Sequence, residues 1–142
     1  MTSQRRMLGC LVCTLAMSCG EPPPPAPSAV INASPKAVCV GDGFATAIHL
    51  DAKQSLPYLT LVYVRPPADS PPLKYTWSFE GSATTLEDGS LDADALVVRM
   101  AGDRPLHVRL RVENSVGGVS EALTSIAVTP LDASGACPLP SE

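Results

Sequence analysis

Leu106-His107-Val108-Arg109-Leu110-Arg111-Val112-Glu113 alternates without a break between apolar and polar side chains. Successive side chains of an extended backbone point to opposite faces. Leu106, Val108, Leu110 and Val112 therefore share one face, and His107, Arg109, Arg111 and Glu113 share the other. This is the pattern of a half-buried β-strand. Tyr75-Thr76-Trp77-Ser78-Phe79-Glu80 repeats it with aromatic rings on the apolar side. Further strands are predicted at approximately Ala29–Ala33, Phe44–Leu50, Tyr58–Val64, Leu96–Met100 and Ser120–Thr129. Turn chemistry separates them: Gly41-Asp42-Gly43, Pro66-Pro67, Pro71-Pro72, Asp88-Gly89, Gly102-Asp103 and Gly117-Gly118. No stretch carries a convincing helical period. Seven or eight short strands in about 100 residues predict an all-β fold, a two-sheet β-sandwich, in which the aromatic strand faces strand 106–112 across the core.

Toward the amino terminus the patterning changes. Arg5 and Arg6 form a basic segment, Met7 to Met17 is uncharged and mostly apolar, and small Ala16 and Ser18 precede Cys19. That is the layout of an export signal. The apolar run is about eleven residues, whereas a membrane-spanning helix needs roughly 20. Leu15-Ala16-Met17-Ser18-Cys19 resembles the lipobox of bacterial lipoproteins at Leu15, Ser18 and Cys19. The resemblance implies diacylglycerol on the Cys19 sulfur, cleavage before Cys19 and acylation of the new amino terminus. Several acyl chains matter, because a single one binds a bilayer only marginally. Gly20 and Glu21 do not form the aspartate signal that retains some lipoproteins in an inner membrane. An outer membrane or cell surface is the expected location.

Four organisational segments follow: a signal at 1–18, a lipidated cysteine and proline-rich tether at 19–28, a folded domain at 29–137 and a tail at 138–142. The tether, Gly20-Glu21-Pro22-Pro23-Pro24-Pro25-Ala26-Pro27-Ser28, is expected to be extended and semi-rigid, an unpacked spacer. Removing Arg5 and Arg6 leaves 8 basic against 14 acidic residues, a balance of −6. An acidic chain with no basic cluster is poorly suited to nucleic acid, whose binding rests on phosphate neutralisation. Contact with a membrane is assigned to the lipid on Cys19. Cys10 and Cys13 fall in the discarded signal. Cys39 and Cys137 remain, and an even pair in an oxidising compartment is read as a disulfide, bracketing the domain.

Tyr75-Thr76-Trp77-Ser78-Phe79-Glu80-Gly81 resembles the Y-x-W-x-F-G-D-G region of PKD domains, an immunoglobulin-like family of extracellular proteins. Leu50-Asp51-Ala52 followed by Ser55 resembles the end of that family's second strand. Leu106-x-Val108-x-Leu110-x-Val112 resembles its Y-x-V-x-L-x-V strand, and Asn114-x-x-Gly117 its N-x-x-G turn. The resemblance covers roughly residues 30–129. Ser78, Glu80-Gly81-Ser82 and Leu106 depart from the family pattern, and residues 56–72 exceed its usual spacing. What the resemblance implies is an immunoglobulin-like sandwich that binds or adheres through protein or carbohydrate contacts.

Candidate sites are few. Glu87, Asp88, Asp92 and Asp94 gather in one stretch, with Asp103 further on; convergent carboxylates could bind calcium, but the ligand spacing of an EF-hand loop is missing, and solvated turn residues explain the run as well. His49 and His107 are the only imidazoles, too few for a zinc site without cysteine partners at suitable spacing. No serine sits in G-x-S-x-G and no cofactor motif occurs, so a non-enzyme is expected. The stripe His107, Arg109, Arg111 and Glu113 reads as a solvated sheet face, with ligand binding the sharper alternative. Tyr58, Leu59, Leu61, Val62 and Tyr63 form an apolar strand that reads as core packing, with a partner surface the sharper alternative. The expected function is a lipid-anchored, non-catalytic binding or adhesion module of the cell envelope. The alternative is a structural accessory subunit of a larger envelope assembly. Palmitate supplied to growing cells should label the wild-type chain and not Cys19→Ala. Labelling that persists in the variant would remove Cys19 as the attachment point.

Overall fold

The computed structural model describes residues 20, 23–40, 45–57 and 72–138. Among these the protein is all β, with β1 (Asn32–Ser34), β2 (Ala37–Val40), β3 (Ala45–Asp51), β4 (Lys74–Asp88), β5 (Ala95–Glu113) and β6 (Val119–Pro130). They form one mixed sheet in the order β1-β3-β5-β6-β2, with β4 paired to the other side of β5. All pairings are antiparallel except that of β2 with β6. The expected strand Tyr58–Val64, the Gly41-Asp42-Gly43 turn and Pro66-Pro67 lie outside the described residues.

The sequence predicts two strands, Leu96–Met100 and Leu106–Val112, separated by a Gly102-Asp103 turn. The structure instead runs them together as the 19-residue β5. Even-numbered residues keep facing inward on both sides of the interruption: Leu96, Val98 and Met100, then Leu106, Val108, Leu110 and Val112 are all buried. Residues 101–105 between them are exposed. β4 is likewise longer than its aromatic stretch. Its aromatic part does not face residues 106–112 across the core as expected but is hydrogen-bonded beside them, and β4 accompanies β5 from Lys74 opposite Glu113 to Asp88 opposite Val97.

This hairpin bends where its register shifts, between Gly81 and Ala83. Gly81 has φ of 101°, and a Cβ there would lie 2.2 Å from the carbonyl oxygen of Pro105. Ser82 sits in the bend and donates a hydrogen bond of 3.2 Å to the Ala101 carbonyl. The bend divides the labour of β5. Residues Ala95–Ala101 pair with β3, and Leu106–Glu113 pair with β6.

The sheet therefore curls. β1 and β2 end the two branches that leave β5 on the side away from β4, and only Pro35 and Lys36 separate them in sequence. Three Cα–Cα steps span at most about 11 Å, which brings the two edges together. The apolar faces of both halves enclose one core. Ile48, Leu50, Leu96, Val98 and Met100 come from one half, and Trp77, Leu106, Val108, Leu110, Val112 and Ile126 from the other. The Trp77 indole donates to the Ala93 carbonyl at 2.9 Å, and its backbone N–H donates to the Leu91 carbonyl at 2.9 Å. The 89–94 loop is thus folded onto β4.

Cys39 and Cys137 form a disulfide, with Cα atoms 5.7 Å apart across a sequence separation of 98 residues. Closure of a loop this long contributes on the order of 4–5 kcal/mol in the chain-entropy model. The Asp132 carboxylate shapes the turn before Cys137 by accepting from the Ser134 and Ala136 N–H groups at 2.8 and 2.9 Å. Bonds from Ser134 and Ala136 hold that exposed carboxyl below its ordinary value.

Replacing Gly81 with alanine combines left-handed backbone strain, about 1–3 kcal/mol, with a clash against main chain. Gly81→Ala is expected to lower stability by at least about 2 kcal/mol, read as a reduced urea midpoint. An unchanged midpoint would show that the bend tolerates a side chain.

Candidate functional site

Inward packing of alternate β5 residues leaves His107, Arg109 and Arg111 exposed, as the alternation predicts. Register then decides their neighbours. Glu80, His107 and Ser125 form one row across β4, β5 and β6; Ser78, Arg109 and Leu123 form the next; Thr76, Arg111 and Glu121 the third. Glu80, His107, Arg109, Leu123, Thr124 and Ser125 line an open cleft of about 430 Å³. Leu123 is 71% exposed, the most exposed of the large apolar side chains among the described residues.

His107 Nδ1 and Ser125 Oγ share a hydrogen bond of 2.7 Å. The nearest Arg109–Glu121 approach is 3.8 Å, with both side chains about half exposed. Exposed ion pairs contribute only about 0–1 kcal/mol, so little holds Arg109 to Glu121 if a ligand carboxylate competes. The cleft thus combines a guanidinium, an imidazole–hydroxyl pair and an uncovered leucine. A serine, a histidine and a carboxylate in one row invite comparison with a hydrolytic triad. A triad needs its acid bonded to the histidine, and no hydrogen bond joins Glu80 to His107. The arrangement is a cross-strand polar row. Sequence reasoning could not supply Ser125 or Leu123, because β5–β6 register alone brings them beside His107 and Arg109.

A second node was legible only as a turn. Asn114 directly follows β5 and is 4% exposed. Its Nδ2 donates to the carbonyls of Pro25 at 2.7 Å and Pro57 at 3.0 Å. Its Oδ1 accepts from the N–H of Gly118 at 2.7 Å and of Val116 at 3.2 Å. Gly118 is required here, since a Cβ would come within 2.0 Å of the Pro25 carbonyl oxygen. Pro27 is fully buried, and Ser28 exchanges backbone hydrogen bonds of 2.8 and 2.9 Å with Leu56. The end of the tether is thus packed on the domain rather than standing clear of it. A proline run lacks N–H donors but keeps its carbonyls, and Asn114 uses one of them. Ser55 supports the same region, accepting from the Val30 N–H at 3.0 Å.

The remaining candidates are dispersed. Glu87 pairs with Arg99 at 2.6 Å, Asp88 accepts from the Gly89 N–H at 2.9 Å, and Asp92 accepts from Ser90. Among the described residues no three His, Cys, Asp or Glu side chains are placed to hold a metal ion. His49 is exposed on β3. Burial, then Asp94 and Asp51, raise the Tyr75 hydroxyl above its usual value of 10.0, so it stays neutral at physiological pH. Cys19 and the Tyr58–Tyr63 surface lie outside the described residues. The chain matches no protein-family model and no curated protein.

Asn114→Ala strips partners from the Val116 and Gly118 N–H groups and from the Pro25 and Pro57 carbonyls, and is expected to cost about 2–3 kcal/mol. Asn114→Asp retains the acceptor but turns a carboxylate against the Pro25 and Pro57 carbonyls. Its carboxyl is then raised in the folded state, so its stability deficit should grow as pH rises and shrink in acid. Urea titrations near pH 7 and pH 4 check both variants; equal stability of wild type and Asn114→Ala would dismiss the node.

Proposed function

We propose that this chain is a lipid-anchored, non-catalytic binding module of the cell envelope, with a PKD-like, immunoglobulin-like sandwich as its folded part. The sandwich reading is supported by the bent β4–β5 hairpin and by sheet edges only two residues apart in sequence. The anchored, exported reading rests on the Cys19 motif and is in keeping with the Cys39–Cys137 disulfide, since such bonds persist in oxidising compartments.

One observation carries the binding role: the β4–β5–β6 face places uncovered Leu123 in a cleft with Arg109, His107 and Ser125. The aromatic side chains of β4 point toward the core, with Trp77 buried and Tyr75 and Phe79 packed against it. That face therefore offers no ring from β4 on which a sugar could stack. A protein surface bearing a carboxylate beside an apolar side chain is the better fit. Arg109 supplies charge-assisted hydrogen bonds and Leu123 the apolar contact.

Crosslinking in intact cells is expected to join the wild-type chain to one protein of defined mass. Arg109→Glu with Leu123→Asp should lose that product while palmitate incorporation is unchanged. Retention of the product would move the contact elsewhere, and specific retention on a glycan array would replace the protein partner with carbohydrate.

A further inference from the structure

The tether packing has a consequence for how the domain sits, and it rests on the reading of Cys19 as the lipid attachment point. From Cys19 to Pro25 there are six Cα–Cα steps, which span no more than roughly 22 Å however they run. At Pro25 the chain is already bonded to Asn114, and by Pro27 it is buried. The chain therefore enters the domain at the 114–118 turn, and a spacer reaching Ser28 is shortened to the residues before Pro25.

Two of the exposed large apolar side chains stand at this entry point: Val116 is 51% exposed and Val119 38%. The charges around them are mixed. Lys74 lies opposite Glu113, and Arg111 opposite both Thr76 and Glu121; Lys53 is exposed in the turn after β3. A neutral lipid surface meets no single-sign field there. The opposite pole is the 101–105 bend, about 30 Å away along β5 at the usual strand rise. It carries Asp103 and Arg104, both exposed.

We infer that the Asn114–Gly118 turn is the membrane-facing pole of the domain, with Val116 and Val119 resting on the lipid surface. The free energy of two half-exposed valines is small. The short link to the lipid nevertheless holds them at high effective concentration beside the bilayer, so a weak contact suffices to choose the orientation. The 101–105 bend then faces outward, and the Arg109–Leu123 cleft lies along the side between the poles.

The test does not depend on lipidation in the cell. In a chain beginning at Cys19, Cys39 and Cys137 are joined, and Cys19 is the one free thiol. It can be coupled to maleimide-bearing phosphatidylethanolamine in phosphatidylcholine vesicles that also contain a nitroxide-headgroup lipid. Azidophenylalanine at position 115 or 103, clicked to a fluorophore, reports distance from the bilayer by quenching. Position 115 is expected to be quenched several-fold more than position 103. Val116→Asp, an exposed change with little bearing on folding, should reduce quenching at 115 to the level at 103. Equal quenching at the two positions, stronger quenching at 103, or no effect of Val116→Asp would each overturn the proposal. Loss of palmitate labelling in wild-type cells would instead count against the lipid anchor, and the two failures are separable.

Discussion

β5 can hydrogen-bond β4 along nearly its whole length only because the hairpin bends at Gly81, where the missing Cβ lets the Pro105 carbonyl approach. Much of the architecture follows from that close contact. A straight 19-residue strand would exceed the usual strand length several times over and present an apolar face too long to cover. Bent, it presents the Leu96–Met100 and Leu106–Val112 faces to one shared core. β3 can then pair with one half and β6 with the other, and the sheet edges β1 and β2 are brought to opposite ends of a two-residue link. The parity of inward residues survives the interruption, so the bend adds direction without flipping either face.

Asn114 does for the polar interior what Gly81 does for the sheet. Its amide both donates twice and accepts twice, joining the end of β5, the turn beyond it, the segment before the proline-rich stretch and the tether. Leaving such a group unmet in a buried site is expensive. Among the described residues no buried side-chain nitrogen or oxygen lacks a partner. The tether consequently belongs mechanically to the fold. A segment whose composition reads as a free spacer is made part of the domain by one side chain about ninety residues further along.

The alternation of residues 106–113 was sufficient to predict which side chains in that half of β5 are buried, and the Cys39–Cys137 bond was predicted by setting Cys10, Cys13 and Cys19 aside on the export-signal reading. Both are local or pairwise properties. Strand period is set by backbone geometry, and two cysteines allow one pairing when the other three are assigned to the proposed signal and anchor. The expectation of a Gly102-Asp103 turn failed for an equally physical reason. Glycine followed by aspartate permits a reversal but does not require one, and β4 pairs with both sides of the interruption. Ala37–Val40 escaped notice because a four-residue strand paired with β6 carries too few residues for a period to show.

Sequence alone therefore determined the all-β class, the inward and outward faces of β5 and the Gly117-Gly118 turn. Each depends on chemistry carried by neighbouring residues. Only the tertiary structure decided that His107 meets Ser125, that Arg109 lies beside Leu123, and that Pro25 is held by Asn114. Those contacts join residues 14 to 89 positions apart, and they exist because register and the bend bring distant strands together. Sequence spacing carries no record of register between strands that are far apart in the chain.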